Sequence, residues 1–199
     1  KFKLQPAQLE QAITPKTKAI IFCYPNNPTG GIMSKQDWEA LRKIIIKHDL
    51  LIISDEIYGL LTYEKEHFSI ASFEGMLERT IVINGFSKAQ AMTGWRIGYA
   101  FGPKELIAAM VKIHQYTMLC APIMSQMAAI ESLKNGEAEI KKMYNEYNNR
   151  RKLVYKAFLD MGLSCFEPEG AFYIFPNISS TGLTSDEFAE KLLVEEKVA

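Results

Sequence analysis

Four short runs rich in β-branched and aromatic residues mark the first half of the chain: AIIFCYP (19–25), LLIISDE (50–56), IVINGF (81–86) and RIGYAFG (96–102). They are apolar without a clear alternation, the pattern of strands buried on both faces of one sheet. Between the first two, residues 34–48 change to a helical period. Trp38, Leu41, Ile44 and Ile45 fall on one face, and SKQD, starting at Ser34, is a near capping box. Strand, helix and strand in succession predict a parallel pair joined by a right-handed crossover.

From Pro103 to about Gly162 the pattern is helical, punctuated at Gly136. EAEIKKMYNEYNNRRKLVYKAFLDMG predicts one long helix, with Ile140, Met143, Tyr147, Leu153, Val154 and Ala157 as its apolar stripe. A helix of that length can join two domains. After it, LSCFEPEG, AFYIFPNI and a helix opened by TSDEF, with Thr184 or Ser185 as N-cap, predict the start of a smaller α+β domain. The expected class is α/β, with a mostly parallel central sheet flanked by helices. Residues 1–135 belong to the larger domain, 136–162 form the interdomain helix and 163–199 begin the smaller domain. KFKLQPAQLEQAI reads as the inside of a domain and FAEKLLVEEKVA stops at a helix end, so a fragment of a longer protein is expected.

Charge narrows the chemistry. With 23 basic and 23 acidic residues the net charge is zero, so no general attraction to nucleic acid or anionic membrane arises and any anion site must be local. Cys23, Cys120 and Cys165 are odd in number and far apart, which fits buried thiols in a reducing compartment. His48, His67 and His114 are isolated, so no structural metal site is expected. No run approaches the roughly 20 apolar residues of a membrane span and no charged-then-apolar leader is present, so the expected location is the cytoplasm.

In a parallel sheet, ligands sit beyond the carboxyl ends of the strands. YPNNPTGG follows the first strand, SDEIYG ends the second, NGFSK ends the third, and GWR leads into the fourth. Singly these are ordinary turn and strand-end residues. Together they describe one ligand. A carboxylate at a buried strand end, Asp55, needs a cationic partner, which a protonated pyridine nitrogen supplies. Lys88, among small and apolar residues, can attack a carbonyl to form a Schiff base. The Arg96 fork suits a phosphate, and Tyr58 and the Asn27 amide can both bond a phenolic oxygen. Pyridinium, aldehyde, phenol and phosphate make up pyridoxal 5'-phosphate.

PNNPTGG, SDEIY and SKAQAMTGWRIGY, in this order and spacing, resemble the signature segments of class I/II aminotransferases, the aspartate and aromatic aminotransferase superfamily of pyridoxal-phosphate fold type I. The resemblance covers essentially the whole chain and implies an enzyme moving an amino group between an amino acid and a 2-oxo acid. It implies that Lys88 holds the cofactor and then acts as general base, and that Asp55 keeps the pyridine nitrogen protonated. Tyr58 and Asn27 would bond the phenolic oxygen and Arg96 the phosphate. It also implies a cis Asn27–Pro28 peptide and a homodimer, with no nucleic-acid or membrane partner. Where many members carry a hydroxyl residue three positions before the lysine, this chain has Gly85, and Ser87 is the nearby phosphate candidate. The family's glycine-rich phosphate loop, its ring-stacking aromatic residue and its carboxylate-binding arginine have no counterpart in these 199 residues. The alternatives are a pyridoxal-phosphate-dependent carbon–sulfur β-lyase of the same fold and a catalytically incomplete fragment. NNPTGG followed by IMS favours the transaminase.

Overall fold

A computed structural model describes residues 2–198. A short helix α1 (Pro6–Ala12) precedes strand β1 (Ala19–Cys23), helix α2 (Lys35–Lys47) and strand β2 (Leu51–Asp55). Strands β3 (Thr80–Gly85) and β4 (Gly98–Phe101) complete a four-stranded sheet in the order β1-β2-β3-β4. The β1–β2 and β2–β3 pairs are parallel and β3–β4 is antiparallel, giving the mostly parallel α/β architecture expected.

Helix α2 begins where its capping residues lie. Ser34 is the N-cap, its hydroxyl accepts from the Asp37 amide, and the Asp37 carboxylate accepts from the Ser34 amide. The helix then buries Trp38, Leu41 and Ile45 against Phe22 of β1 and Ile52 of β2, with Leu9, Ile70, Phe73 and Met76 closing the core. Each of these side chains contributes on the order of 2 kcal/mol by leaving water. The Trp38 indole also donates to the Phe68 carbonyl at 2.8 Å, so its polar edge is satisfied as its rings pack edge-on to Phe22 and Tyr24.

Burial on both sheet faces does not hold for these residues. The face opposite α2 leaves Ile21 73% exposed and Ile83 exposed as well. The run of β-branched residues encodes the strand, while covering its second face needs an element that the described residues do not place there.

Helices α3 (Lys104–Thr117), α4 (Ile123–Asn135) and α5 (Glu137–Asp160) follow, with Gly136 as the hinge between the last two. Of the stripe expected on α5, Ile140, Met143, Tyr147 and Ala157 are partly buried, while Leu153 and Val154 are exposed. Leu153 is 69% exposed, and the residue turned inward is Arg151, beside Tyr147 and Ile140. Beyond α5, strands β5 (Ser164–Cys165) and β6 (Pro176–Asn177) form an antiparallel pair, and α6 (Ser185–Glu196) starts at the Thr184 cap. The expectation of buried thiols fails at Cys120, which is exposed in the turn between α3 and α4; Cys23 and Cys165 are partly buried.

Candidate active site

Strand register gathers the polar clusters on one edge of the sheet. Cys23 at the end of β1 lies opposite Asp55 at the end of β2, Asp55 lies opposite Ile83, and Gly85 at the end of β3 lies opposite Gly98 at the start of β4. Because β4 runs antiparallel, the segment leading into it, Gly94 to Arg96, reaches the same edge as the carboxyl ends of the other three. The Asp55 carboxylate accepts from the Ile57 amide at 3.1 Å as the chain leaves β2. On the opposite side of that strand, Glu56 is buried and accepts from Ser54 (2.9 Å) and Ser69 (2.8 Å), with the His67 ring nitrogen at 2.9 Å.

The loop after β1 is shaped for close contact with a distant segment. Tyr24–Pro25 and Asn27–Pro28 are both cis, the second as expected. The Asn26 side chain accepts from the Thr29 hydroxyl at 2.6 Å, and the Asn26 and Gly31 backbones close the turn. Gly30 has φ +69°, and a Cβ there would lie 2.4 Å from the Pro168 Cβ. Only glycine tolerates both the conformation and the contact. Its carbonyl accepts from the amides of Glu169 and Gly170, and a Cβ on Gly170 would strike Pro25 at 2.7 Å.

This docked segment, residues 167–173, is a strap that carries Phe172 and Tyr173 into the site, residues to which the sequence motifs assign no role. The Tyr173 hydroxyl lies 2.6 Å from the Tyr58 hydroxyl and accepts from the Asn27 side-chain amide at 3.3 Å. Phe172 packs edge-on to Tyr58 and stacks on Tyr147 of α5. The Lys88 ammonium sits against this aromatic wall, 5.6 Å from the Tyr58 ring centroid and 5.7 Å from that of Phe172. Tyr58 is only 3% exposed. Burial raises its hydroxyl pKa well above the ordinary value, and the Tyr173 hydrogen bond and the nearby Asp55 charge push the same way. Tyr58 is therefore protonated at neutral pH. Burial raises the Cys23 thiol as well, so it stays protonated. One signal for the strap was legible: GAFY sets two adjacent aromatics behind a glycine and a small residue, after a Pro-Glu turn.

Residues 86–97 form a compact loop. Phe86 and Met92 are buried and joined by a backbone hydrogen bond, and the Ala91 amide donates to the Lys88 carbonyl. Thr93 joins Ser87, the residue before Lys88, to Arg96. Its hydroxyl donates to the Ser87 carbonyl at 2.7 Å, and its own carbonyl accepts from the Arg96 guanidinium at 2.6 Å. Arg96 is exposed and left-handed, with φ 52°. Gly85 also has a structural reason: a Cβ there would sit 3.1 Å from the Gly98 Cα and 3.2 Å from the Ile97 carbonyl, so a larger residue would push β4 aside.

A profile of the family described as aminotransferase class I and II matches residues 1–199. The chain is 47% identical over 201 residues to the aspartate aminotransferase of Pyrococcus abyssi, covering 100% of this chain and 52% of that protein. Among solved structures, the aromatic aminotransferase from Pyrococcus horikoshii superposes with a TM-score of 0.96 at 46% identity, over 100% of this chain and 54% of that one. The aspartate aminotransferase from Thermus thermophilus with maleate superposes with a TM-score of 0.92 at 40% identity, over 96% and 50%. The chain thus spans about half the length of these relatives, and with the match running over all of its residues, it belongs to the class I and II aminotransferase family.

Proposed function

We propose that this chain supplies the lysine-bearing half of the active site of a pyridoxal-phosphate-dependent aminotransferase, which moves an amino group between an amino acid and a 2-oxo acid. The observation that carries this reading is one edge of one sheet holding Lys88 against the Tyr58 and Phe172 rings, the Asn27–Tyr173–Tyr58 hydrogen-bonded group, and the Asp55 carboxylate. The donor set fits the cofactor. An amine faces the place of an aldehyde, an amide and a protonated phenol can donate to a phenolic oxygen, and a carboxylate lies in the next strand. Pyridoxal phosphate, when bound, supplies the aldehyde and a ring that accepts the electron pair released at the substrate's Cα.

The chain's own groups have these roles. Lys88 Nζ would hold the cofactor through its aldehyde carbon, the aldehyde oxygen leaving as water, and once the substrate's amine replaces it there the freed Nζ would carry the proton removed from the substrate's Cα. Asp55 holds a proton on the ring nitrogen. Asn27 and Tyr58 donate to the phenolic oxygen. Arg96 holds the phosphate with Ser87 beside it, and Thr93 keeps that pair in register with Lys88. Residues 1–135 form the cofactor-binding part of the large domain, 136–162 the interdomain helix and 163–199 the start of the small domain.

The relatives compared above are named as aminotransferases, which leaves the β-lyase alternative without support. Homodimer formation is part of the proposal, and the apolar side chains exposed on α3 and α4, among them Ile113, Tyr116, Ile123 and Met124, support it. Among the described residues no helix is long and apolar enough to cross a membrane, and a cytoplasmic location rests on the uncoupled cysteines. The test is reconstitution of the full natural chain with pyridoxal phosphate, borohydride reduction with peptide mapping, and an amino-donor screen with 2-oxoglutarate. The expected result is a label on Lys88 and donor-dependent glutamate formation. A label that persists in Lys88→Ala overturns the assignment.

A further inference from the structure

Three groups share hydrogen bonds in one line: the Asn27 amide, the Tyr173 hydroxyl and the Tyr58 hydroxyl. The Asn27 amide donates to Tyr173, occupying one acceptor position on that oxygen. The 2.6 Å contact between the two hydroxyls uses a single proton, which either oxygen can provide. If Tyr58 provides it, the Tyr173 proton is left to find another acceptor, and Tyr58 has nothing to offer a ligand. If Tyr173 provides it, the line runs from Asn27 through Tyr173 to Tyr58, and the Tyr58 proton is free to point onward. Every proton is then used once an acceptor sits beyond Tyr58. A hydroxyl that accepts a hydrogen bond is also polarised into a stronger donor, because successive bonds in a chain reinforce one another.

We propose that Tyr173 is a positioning residue that acts through Tyr58: it donates to the Tyr58 oxygen, and so aims and strengthens the proton that Tyr58 presents to the phenolic oxygen of the bound cofactor. This rests on the functional reading above and adds to it a residue 115 positions beyond Tyr58. The strap is built to hold the hydroxyl there. Gly30 and Gly170 allow the backbone approach, and the Ala171 amide donates to the Leu61 carbonyl at 2.8 Å while the Ala171 carbonyl accepts from Tyr63 at 2.7 Å. Tyr173 packs edge-on to Tyr58 and against Phe172. Phenylalanine at 173 keeps that ring packing and removes only the hydroxyl.

The experiment measures the affinities of the full natural chain for pyridoxal phosphate and for its 3-O-methyl ether, which lacks the phenolic proton and anion. Wild type, Tyr173→Phe and Tyr58→Phe are compared, with circular dichroism as the folding control. Wild type is expected to favour pyridoxal phosphate, and Tyr173→Phe to reduce that preference by roughly threefold to tenfold, the equivalent of one hydrogen bond. In a Tyr58→Phe background, adding Tyr173→Phe is expected to change the preference little, since the effect passes through Tyr58. Equal weakening for both compounds shows a purely structural role and overturns the proposal, as does an unchanged preference. A wild-type chain that binds neither compound overturns the functional reading and this assignment together, an outcome distinct from the other two.

Discussion

Arg151→Met is expected to destabilise the protein by about 2–3 kcal/mol. The Arg151 side chain is 5% exposed and joins three segments: its guanidinium donates to Asn148 on its own helix, to Glu64 at 2.8 Å, and to Glu167 (3.1 Å) and the Pro168 carbonyl (2.9 Å) in the strap. It also lies over the Tyr63 ring, 5.0 Å from the centroid. Methionine keeps much of the volume, so the loss is polar. A buried carbonyl left without its donor costs about 1–3 kcal/mol. Loss of the contact with the ring costs about 0.5–1 kcal/mol. Glu64 and Glu167 are half-exposed and regain water, so each carboxylate bond contributes under about 1 kcal/mol. Against these stands the desolvation of the guanidinium itself, which the substitution relieves. Urea unfolding with an unchanged m-value measures the net. Glu64→Gln and Glu167→Gln should each cost less than about 1 kcal/mol. If Arg151→Met costs under about 0.5 kcal/mol, or if either glutamine variant costs as much as it does, the picture of Arg151 as the fastener of the strap is wrong.

Asp55→Ala in the full natural chain is expected to weaken pyridoxal phosphate binding and cut turnover by about two to three powers of ten or more, as loss of a preorganised charge does; near-normal turnover would make Asp55 structural only. At Asp37, burial acts to raise the carboxyl pKa, but Lys3 and the Ser34 amide and hydroxyl outweigh it and hold the group below its ordinary value. A depressed carboxylate contributes stability that is complete above the unfolded pKa and is lost as pH falls through the folded one. Asp37→Asn should therefore cost about 1 kcal/mol at pH ~6 and progressively less in acid, checked by urea unfolding across that range. The apolar face of α3 and α4, where Tyr116 is 92% exposed, should drive concentration-dependent association in sedimentation. Met124→Lys should reduce it, and a chain that stays monomeric at high concentration removes this surface from the dimer proposal.

Strand and helix positions follow from local pattern, and here the sequence is nearly sufficient. AIIFC and LIISD are strands because β-branched residues pack well on a pleated surface, and α2 starts at Ser34 because SKQD satisfies its first amides. The motif residues at the ends of the strands also follow from pattern, since parallel strands must finish on one edge. Other features depend on contacts between residues far apart in the chain. Leu153 and Arg151 both lie on α5, and hydropathy would turn Leu153 inward. Yet Glu64, Glu167 and the Pro168 carbonyl converge on Arg151 and make its burial favourable. Ile21 reads as core by composition, but its face of the sheet is uncovered by the described residues. Tyr173 meets Tyr58 only because Gly30 and Gly170 let two loops touch, a contact between segments more than a hundred residues apart that no local period encodes. Local propensity acts over a few residues, whereas the identity of a neighbour across the sheet edge depends on the whole packed arrangement.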